Sequence, residues 1–138
     1  MRILGLDFGD KRIGVAMCDP DQILSSPLTT IIKTGDDQAA AEIKGIAEKN
    51  KVGLIIMGIP YSLSGQESEQ TLKTKQFADK LKTATGLSIE FMDERLSTGE
   101  AKRLLNSSGS KKNRPRGDLD SAAAAILLQA YIDSHKML

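Results

Sequence analysis

One histidine, one cysteine and no tryptophan stand in this chain of 138 residues, and each scarcity excludes something. Cys18 has no second cysteine with which to close an internal disulfide, which agrees with a reducing compartment. No apolar run approaches the roughly twenty residues of a membrane span. The opening MRILGLDFGDKRIGVA puts a glycine and charges where a signal peptide keeps an apolar stretch. The expected setting is therefore the cytoplasm, with no membrane partner. Internal repeats, long linkers and low-complexity tracts are also missing, and a single domain over 1–138 is expected.

What is present is an ordinary globular balance, with 40% hydrophobic and 27% charged residues. A formal net charge of +1 neither demands nor excludes a polyanionic partner. Local clustering says more. Lys111, Lys112, Arg114 and Arg116 fall within six residues with no acid among them.

The first third reads as strands. Ile3, Leu4 and Leu6 lead to Asp7, a turn follows over Phe8–Lys11, and Ile13–Met17 returns as the second arm of a hairpin. Leu28–Ile32 is a β-branched third strand. The rest alternates. Asp36 or Asp37 caps a helix with Ala40, Ile43 and Ala47 on one face. Leu54–Met57 is an apolar strand closed by Gly58 and Pro60, and a loop over Tyr61–Gln66 enters a long helix that Gly86 stops near Thr85. Leu87–Met92 is the fifth strand. Ser97 and Glu100 form a capping box for a short helix through Leu104 and Leu105. A basic loop over Asn106–Gly117 then precedes a last helix, with Asp118 as its cap and Ala123, Ile126, Leu127 and Ala130 as its apolar side. The order β-β-β-α-β-α-β-α-α implies an α/β domain built on a mixed sheet flanked by helices.

Three acids occupy unusual places in this scheme. Asp7 ends a strand that should be central, where an unpaired carboxylate is costly to bury. Glu94 lies just past the end of the fifth strand, and ligands gather at the carboxyl ends of strands in such sheets. Asp120, in the first turn of the last helix, shares a face with Ala123 and Leu127 and is aimed at the sheet. Three carboxylates with no histidine or second cysteine nearby make a hard-oxygen set. It suits Mg²⁺ or Mn²⁺ and argues against zinc. Two such ions about 4 Å apart activate water and stabilise the leaving oxygen of a phosphodiester, with no nucleophilic side chain required. Each acid also has a plainer reading: Asp7 as a turn residue, Asp120 as a helix-dipole residue, Glu94 as a partner of Arg95 or Lys102.

Four blocks in order, LDFGDKRIGVA (6–16), GIPYSLSG (58–65), DERLST (93–98) and LDSAAAAILLQAY (119–131), resemble the YqgF family over essentially the whole chain. That family is a branch of the RNase H-like nucleases related to RuvC-type Holliday junction resolvases. The resemblance implies an RNase H-like fold with a five-stranded mixed sheet. It also implies a divalent-metal nuclease, with maturation of the 5′ end of pre-16S ribosomal RNA as its task and Asp7, Glu94 and Asp120 as its acids. Two features depart from the wider pattern. RuvC-type relatives carry an acid at the end of the fourth strand, where this chain reads Gly58-Ile59-Pro60. Asp118 is a possible fourth ligand, although capping is the preferred reading.

Supporting residues follow. Gly9 and Gly14 let backbone approach a phosphate, or only shape the hairpin. Lys11 and Arg12 beside Asp7, and Ser62 in the polar loop after the fourth strand, are candidate phosphate contacts. Arg95 either neutralises charge beside Glu94 or forms a structural ion pair. The basic loop Lys111, Lys112, Arg114 and Arg116 is the candidate for tracking a nucleic-acid backbone. With aromatics at 4%, stacking on bases is a minor mode. The partner is then structured pre-rRNA, or alternatively branched DNA, and the chain is expected to be a monomer or weak homodimer; cutting a Holliday junction needs the homodimer, since two symmetric cuts need two sites. A binding module without catalysis is a further alternative. The first block also resembles the phosphate loop of actin-like kinases, but those close two such domains around a nucleotide, and 138 residues supply one.

Overall fold

The computed structural model describes residues 1–60, 68–93 and 116–136. Three strands come first: β1 (Arg2–Phe8), β2 (Arg12–Cys18) and β3 (Ser25–Ile32). Then follow α1 (Asp36–Lys49), β4 (Val52–Ile59), α2 (Glu69–Thr85), β5 (Ser88–Asp93) and α3 (Arg116–Lys136). The five strands form one mixed sheet in the order β3-β2-β1-β4-β5. β1 pairs antiparallel with β2 and parallel with β4, so it is the centre of the sheet, as its apolar sequence requires.

Alternation along the strands divides the core in two. Leu4, Leu6 and Phe8 of β1, with Ile13, Val15, Ile55 and Met57, face α1 and α2 and pack against Ile43, Phe77 and Leu81. Ile3 of β1, with Ala16, Cys18 and Ile56, faces α3 and packs against Ala124, Ala125, Leu128 and Ile132. Two glycines on that second face bring the helix in. A methyl group built on Gly5 would lie 2.8 Å from Leu128 Cβ, and one built on Gly14 would overlap the backbone carbonyl of Asp120.

Element ends have local causes. The α1 cap is Gly35, with Asp36 and Asp37 inside the first turn. This corrects the expected aspartate cap. Gln38 closes this end of the helix instead, its side-chain oxygen accepting from the backbone N–H of Gly35 at 3.3 Å and of Thr34 at 2.8 Å. Ser68 caps α2 by accepting from Thr71 N–H at 3.2 Å. Thr71 Oγ1 in turn donates to Pro60 O, tying the start of α2 to the end of β4. Gly86, at φ 72°, ends α2 as expected.

The last helix departs from expectation in two ways. It starts at Arg116, which puts Asp118 inside its first turn rather than at the cap and makes Asp120 its fifth residue. Its buried side is Ser121, Ala124, Ala125, Leu127, Leu128 and Ile132, whereas Ala123, Ile126 and Ala130 are only partly buried. β3 starts at Ser25, three residues early, and β4 runs from Val52 to Ile59 rather than over Leu54–Met57 alone. The Tyr61–Gln66 loop, the Ser97–Leu105 helix and residues 106–115 of the basic loop lie outside the described residues.

Candidate active site

The hairpin β1–β2 sets the geometry. Gly9 N–H donates to Arg12 O at 2.9 Å and closes the turn. A side chain on Gly9 would meet that same carbonyl, so its requirement is hairpin geometry. Across the hairpin Asp7 pairs with Gly14. Ile3 and Gly5 face α3, and alternation places Asp7 on that face too, at the carboxyl end of the strand, with its side chain partly buried.

Gly14 is the seat of α3. The backbone of Asp120 lies directly on it, in space no side chain could share. The residue opposite Gly14 is Asp7, so this seat carries the Asp120 segment of the helix to the side of Asp7. Two acids 113 positions apart in sequence thus fall on neighbouring positions at the carboxyl end of the central strand, through a backbone contact that only glycine permits.

The Asp120 side chain is also held. Arg12 Nε donates to Asp120 Oδ2 at 2.9 Å, both side chains being 30% exposed. Arg12 and Gly14 alternate on the same face of β2, so one strand receives the backbone of Asp120 and grips its carboxylate. Arg12, a candidate phosphate contact beside Asp7, thus has the acid on α3 as its partner within the fold. Lys11 stands at the turn with an exposed side chain, as a phosphate contact needs, and its carbonyl accepts from Lys33 N–H at 2.8 Å. Lys73 of α2 approaches the same turn, 3.9 Å from Asp10 Oδ1. Nothing in its sequence neighbourhood marked it, because the approach depends on how α2 packs.

The fourth strand bears on the missing acid. Leu6 pairs with Met57, so the next residue, Gly58, falls beside Asp7. Gly58 is buried and pairs in turn with Met92 of β5. The level of the sheet that holds Asp7 therefore reads Thr30, Gly14, Asp7, Gly58, Met92, with one carboxylate and two glycines. β5 ends at Asp93 beside Ile59, at the same edge. Glu94, the next residue in sequence, lies outside the described residues, as do Ser62, Arg95, Lys111, Lys112 and Arg114. The helical backbone includes Arg116 and Asp118, but their side chains are also outside the description.

Asp7 and Asp120 offer only hard oxygen donors, the chemistry Mg²⁺ and Mn²⁺ prefer. Among the described residues no group of three His, Cys, Asp or Glu side chains is placed to hold a metal ion. Among them, too, no helix is long and apolar enough to cross a membrane.

Comparison with known proteins puts this arrangement in context. Residues 1–134 match the model of the RuvX family, described as a Holliday junction resolvase. A protein of Synechococcus elongatus named "Putative pre-16S rRNA nuclease" is 39% identical over 133 residues, covering 96% of this chain and 89% of the relative. One of the same name from Syntrophus aciditrophicus is 40% identical over 134 residues, covering 97% and 89%. Among solved structures, Thermus thermophilus RuvC in complex with a Holliday junction substrate superposes with a TM-score of 0.66 at 12% identity, covering 99% of this chain and 96% of that one. The fowlpox virus Holliday junction resolvase gives 0.60 at 13% identity, covering 97% and 99%. At such identities these two structures show the fold alone: the RuvC-like, RNase H-type α/β arrangement.

Proposed function

The chain belongs to the RuvX family, and from that premise we propose that it is a divalent-metal-dependent nuclease that processes the 5′ end of pre-16S ribosomal RNA. The observation that carries the proposal is the seating of α3 on Gly14, which brings Asp120 to the side of Asp7 at the carboxyl edge of the central strand. Asp7, Asp120 and Glu94 would hold Mg²⁺ or Mn²⁺. When bound, the ions supply an activated water and charge stabilisation for the leaving oxygen. The protein's share is placement. The sheet fixes Asp7, the glycine seat fixes Asp120, and Lys11 at the exposed turn receives a neighbouring phosphate. Lys111, Lys112, Arg114 and Arg116, together with Ser62 and Arg95, extend the contact along the backbone of the substrate. RNA is favoured because the relatives at 39% and 40% identity carry the pre-16S rRNA name.

A second reading has its own support. The family description itself is that of a Holliday junction resolvase, which makes a four-way DNA junction the alternative substrate. The two are separated by incubating the protein with a structured pre-ribosomal 5′ leader RNA and, in parallel, a synthetic junction. Both are run with Mg²⁺ or Mn²⁺ and beside Asp7→Asn. The expected outcome is metal-dependent cleavage of the RNA that falls by at least about a hundred-fold in the variant, as loss of an ion-holding carboxylate worth several kcal/mol implies. Cleavage of the junction alone would transfer the proposal to the resolvase reading. No cleavage of either, with binding intact in Asp7→Asn, would leave a binding module.

A further inference from the structure

We infer that Arg12 is a positioning residue for Asp120 that also competes with divalent cations for its carboxylate, and so sets how tightly the site takes a metal ion. The inference rests on the reading of Asp7 and Asp120 as metal ligands, and goes beyond it by giving the resident arginine a role.

Asp120 is held at two points by one strand: its backbone lies on Gly14, and its carboxylate accepts from Arg12 Nε at 2.9 Å. The residues are 108 positions apart, so the pair is made by the tertiary fold and not by helix neighbours. Both side chains are only 30% exposed, which limits the exchange with water that makes most surface ion pairs weak. The bond engages Oδ2 through a single nitrogen. The carboxylate is therefore fixed in direction without being enclosed by the guanidinium fork, and a second cation can still reach it.

Charge supplies the second half. A guanidinium keeps its proton at any ordinary pH, so Arg12 places a permanent positive charge within a few ångströms of any ion that Asp120 would ligate. That charge opposes a divalent cation directly and competes for the same oxygens. Lys11 is exposed at the turn, and two other lysines near this edge have different partners. Lys33 Nζ lies 3.1 Å from Asp36 and 4.5 Å from the centre of the Phe8 ring, while Lys73 sits between Glu69 and Asp10. The fold thus joins Arg12 to the α3 acid, and this pairing is what a metal ion must loosen or share.

The test titrates Mn²⁺ alone into the full chain by isothermal calorimetry, with no nucleic acid present. It compares wild type, Arg12→Gln, Arg12→Lys and Asp7→Asn. Removing the charge in Arg12→Gln should tighten Mn²⁺ binding on the order of ten-fold. Arg12→Lys, which keeps the charge, should stay within about three-fold of wild type. A contact that mattered only for folding would weaken binding in both variants. Unchanged or weaker Mn²⁺ binding by folded Arg12→Gln overturns the inference. If circular dichroism shows that Arg12→Gln does not fold, Arg12→Lys decides: binding within three-fold of wild type sustains the inference, and a ten-fold change in either direction ends it. Asp7→Asn keeps the two readings apart. If it binds Mn²⁺ as wild type does, the metal-site reading itself fails. If it binds at least ten-fold more weakly while Arg12→Gln is not tighter, only the role of Arg12 fails.

Discussion

The two faces of the sheet are built from different materials. The face under α1 and α2 is filled by large side chains, Leu4, Leu6, Ile13, Ile55, Met57, Phe77 and Leu81, all fully buried. The face under α3 also buries Ile3, Ile56 and Ile132, but it interleaves them with Gly5, Gly14, Ala16 and Cys18 against Ala124, Ala125 and Leu128. Large side chains hold helices off the sheet and remove much apolar area from water, which is where stability comes from. Small residues contribute little area but let helix backbone touch strand backbone. That contact fixes the helix at the level of its acid, because Asp120 itself rests on Gly14. Both faces bury apolar area, but only the face under α3 adds the backbone contact that gives the site its precision.

Substitutions on the two faces should separate these roles. The largest loss of stability is expected from Leu81→Ala, on α2 and fully buried among its neighbours. Large-to-small changes of this kind cost about 2–5 kcal/mol. Chemical denaturation should show that loss, while the rate of cleavage per folded molecule at low temperature stays close to wild type. Gly14→Ala should behave in the opposite sense. One added methyl group forces the Asp120 backbone away from the strand, at about 1–3 kcal/mol for overpacking. The same shift misplaces a carboxylate at the site, so cleavage should fall by on the order of a hundred-fold even in the folded fraction. If Gly14→Ala cleaves normally, or if Leu81→Ala loses activity in proportion to stability, the division between the faces is wrong.

That division also explains what was legible in the sequence and what was not. The hairpin with Asp7 at its central strand, the mixed sheet, and the stop of α2 at Gly86 all rest on local signals: apolar runs, turn residues and a glycine able to take φ 72°. The buried side of α3 was misread because its stretch Ala122–Leu128 is apolar on every side, so periodicity names no face. Only the position of Gly5 and Gly14 beneath the helix selects Ala124 and Leu128 over Ala123 and Ile126. Arg12 illustrates the same limit. Its place beside Asp7 suggests a phosphate contact, and nothing local announces its ion pair with an acid 108 residues away. Gly14 carried a usable signal, since a glycine between isoleucine and valine in a strand marks a close approach. The thing that approaches is a helix.

The far end of α3 offers the smallest and most selective probe of the comparison. There Tyr131 donates from its hydroxyl to Glu90 Oε2 on β5 at 2.7 Å, a contact distant from Asp120 along the helix. Burial first, and then the hydrogen bond and negative charge of Glu90, push the tyrosine pKa up from 10.0 to about 12. A raised pKa means that the folded state keeps a proton the unfolded state gives up. The contribution is therefore complete below pH 10 and is lost as pH rises from about 10 through about 12. Tyr131→Phe removes this titration. Its stability at pH 8 should fall by only about 1 kcal/mol, the worth of one hydrogen bond to a charged group near the surface. Between pH 10 and 12 the gap between variant and wild type should then narrow, while lysine titrations common to both cancel in the difference. Thermal melts of the pair across that range measure it directly. Cleavage at neutral pH should be unchanged, because the end of α3 that bears Asp120 is held by Gly14 and Arg12 and not by Tyr131. A variant that folds normally but cleaves poorly would mean that the whole helix, and not its seat on Gly14, places the acid.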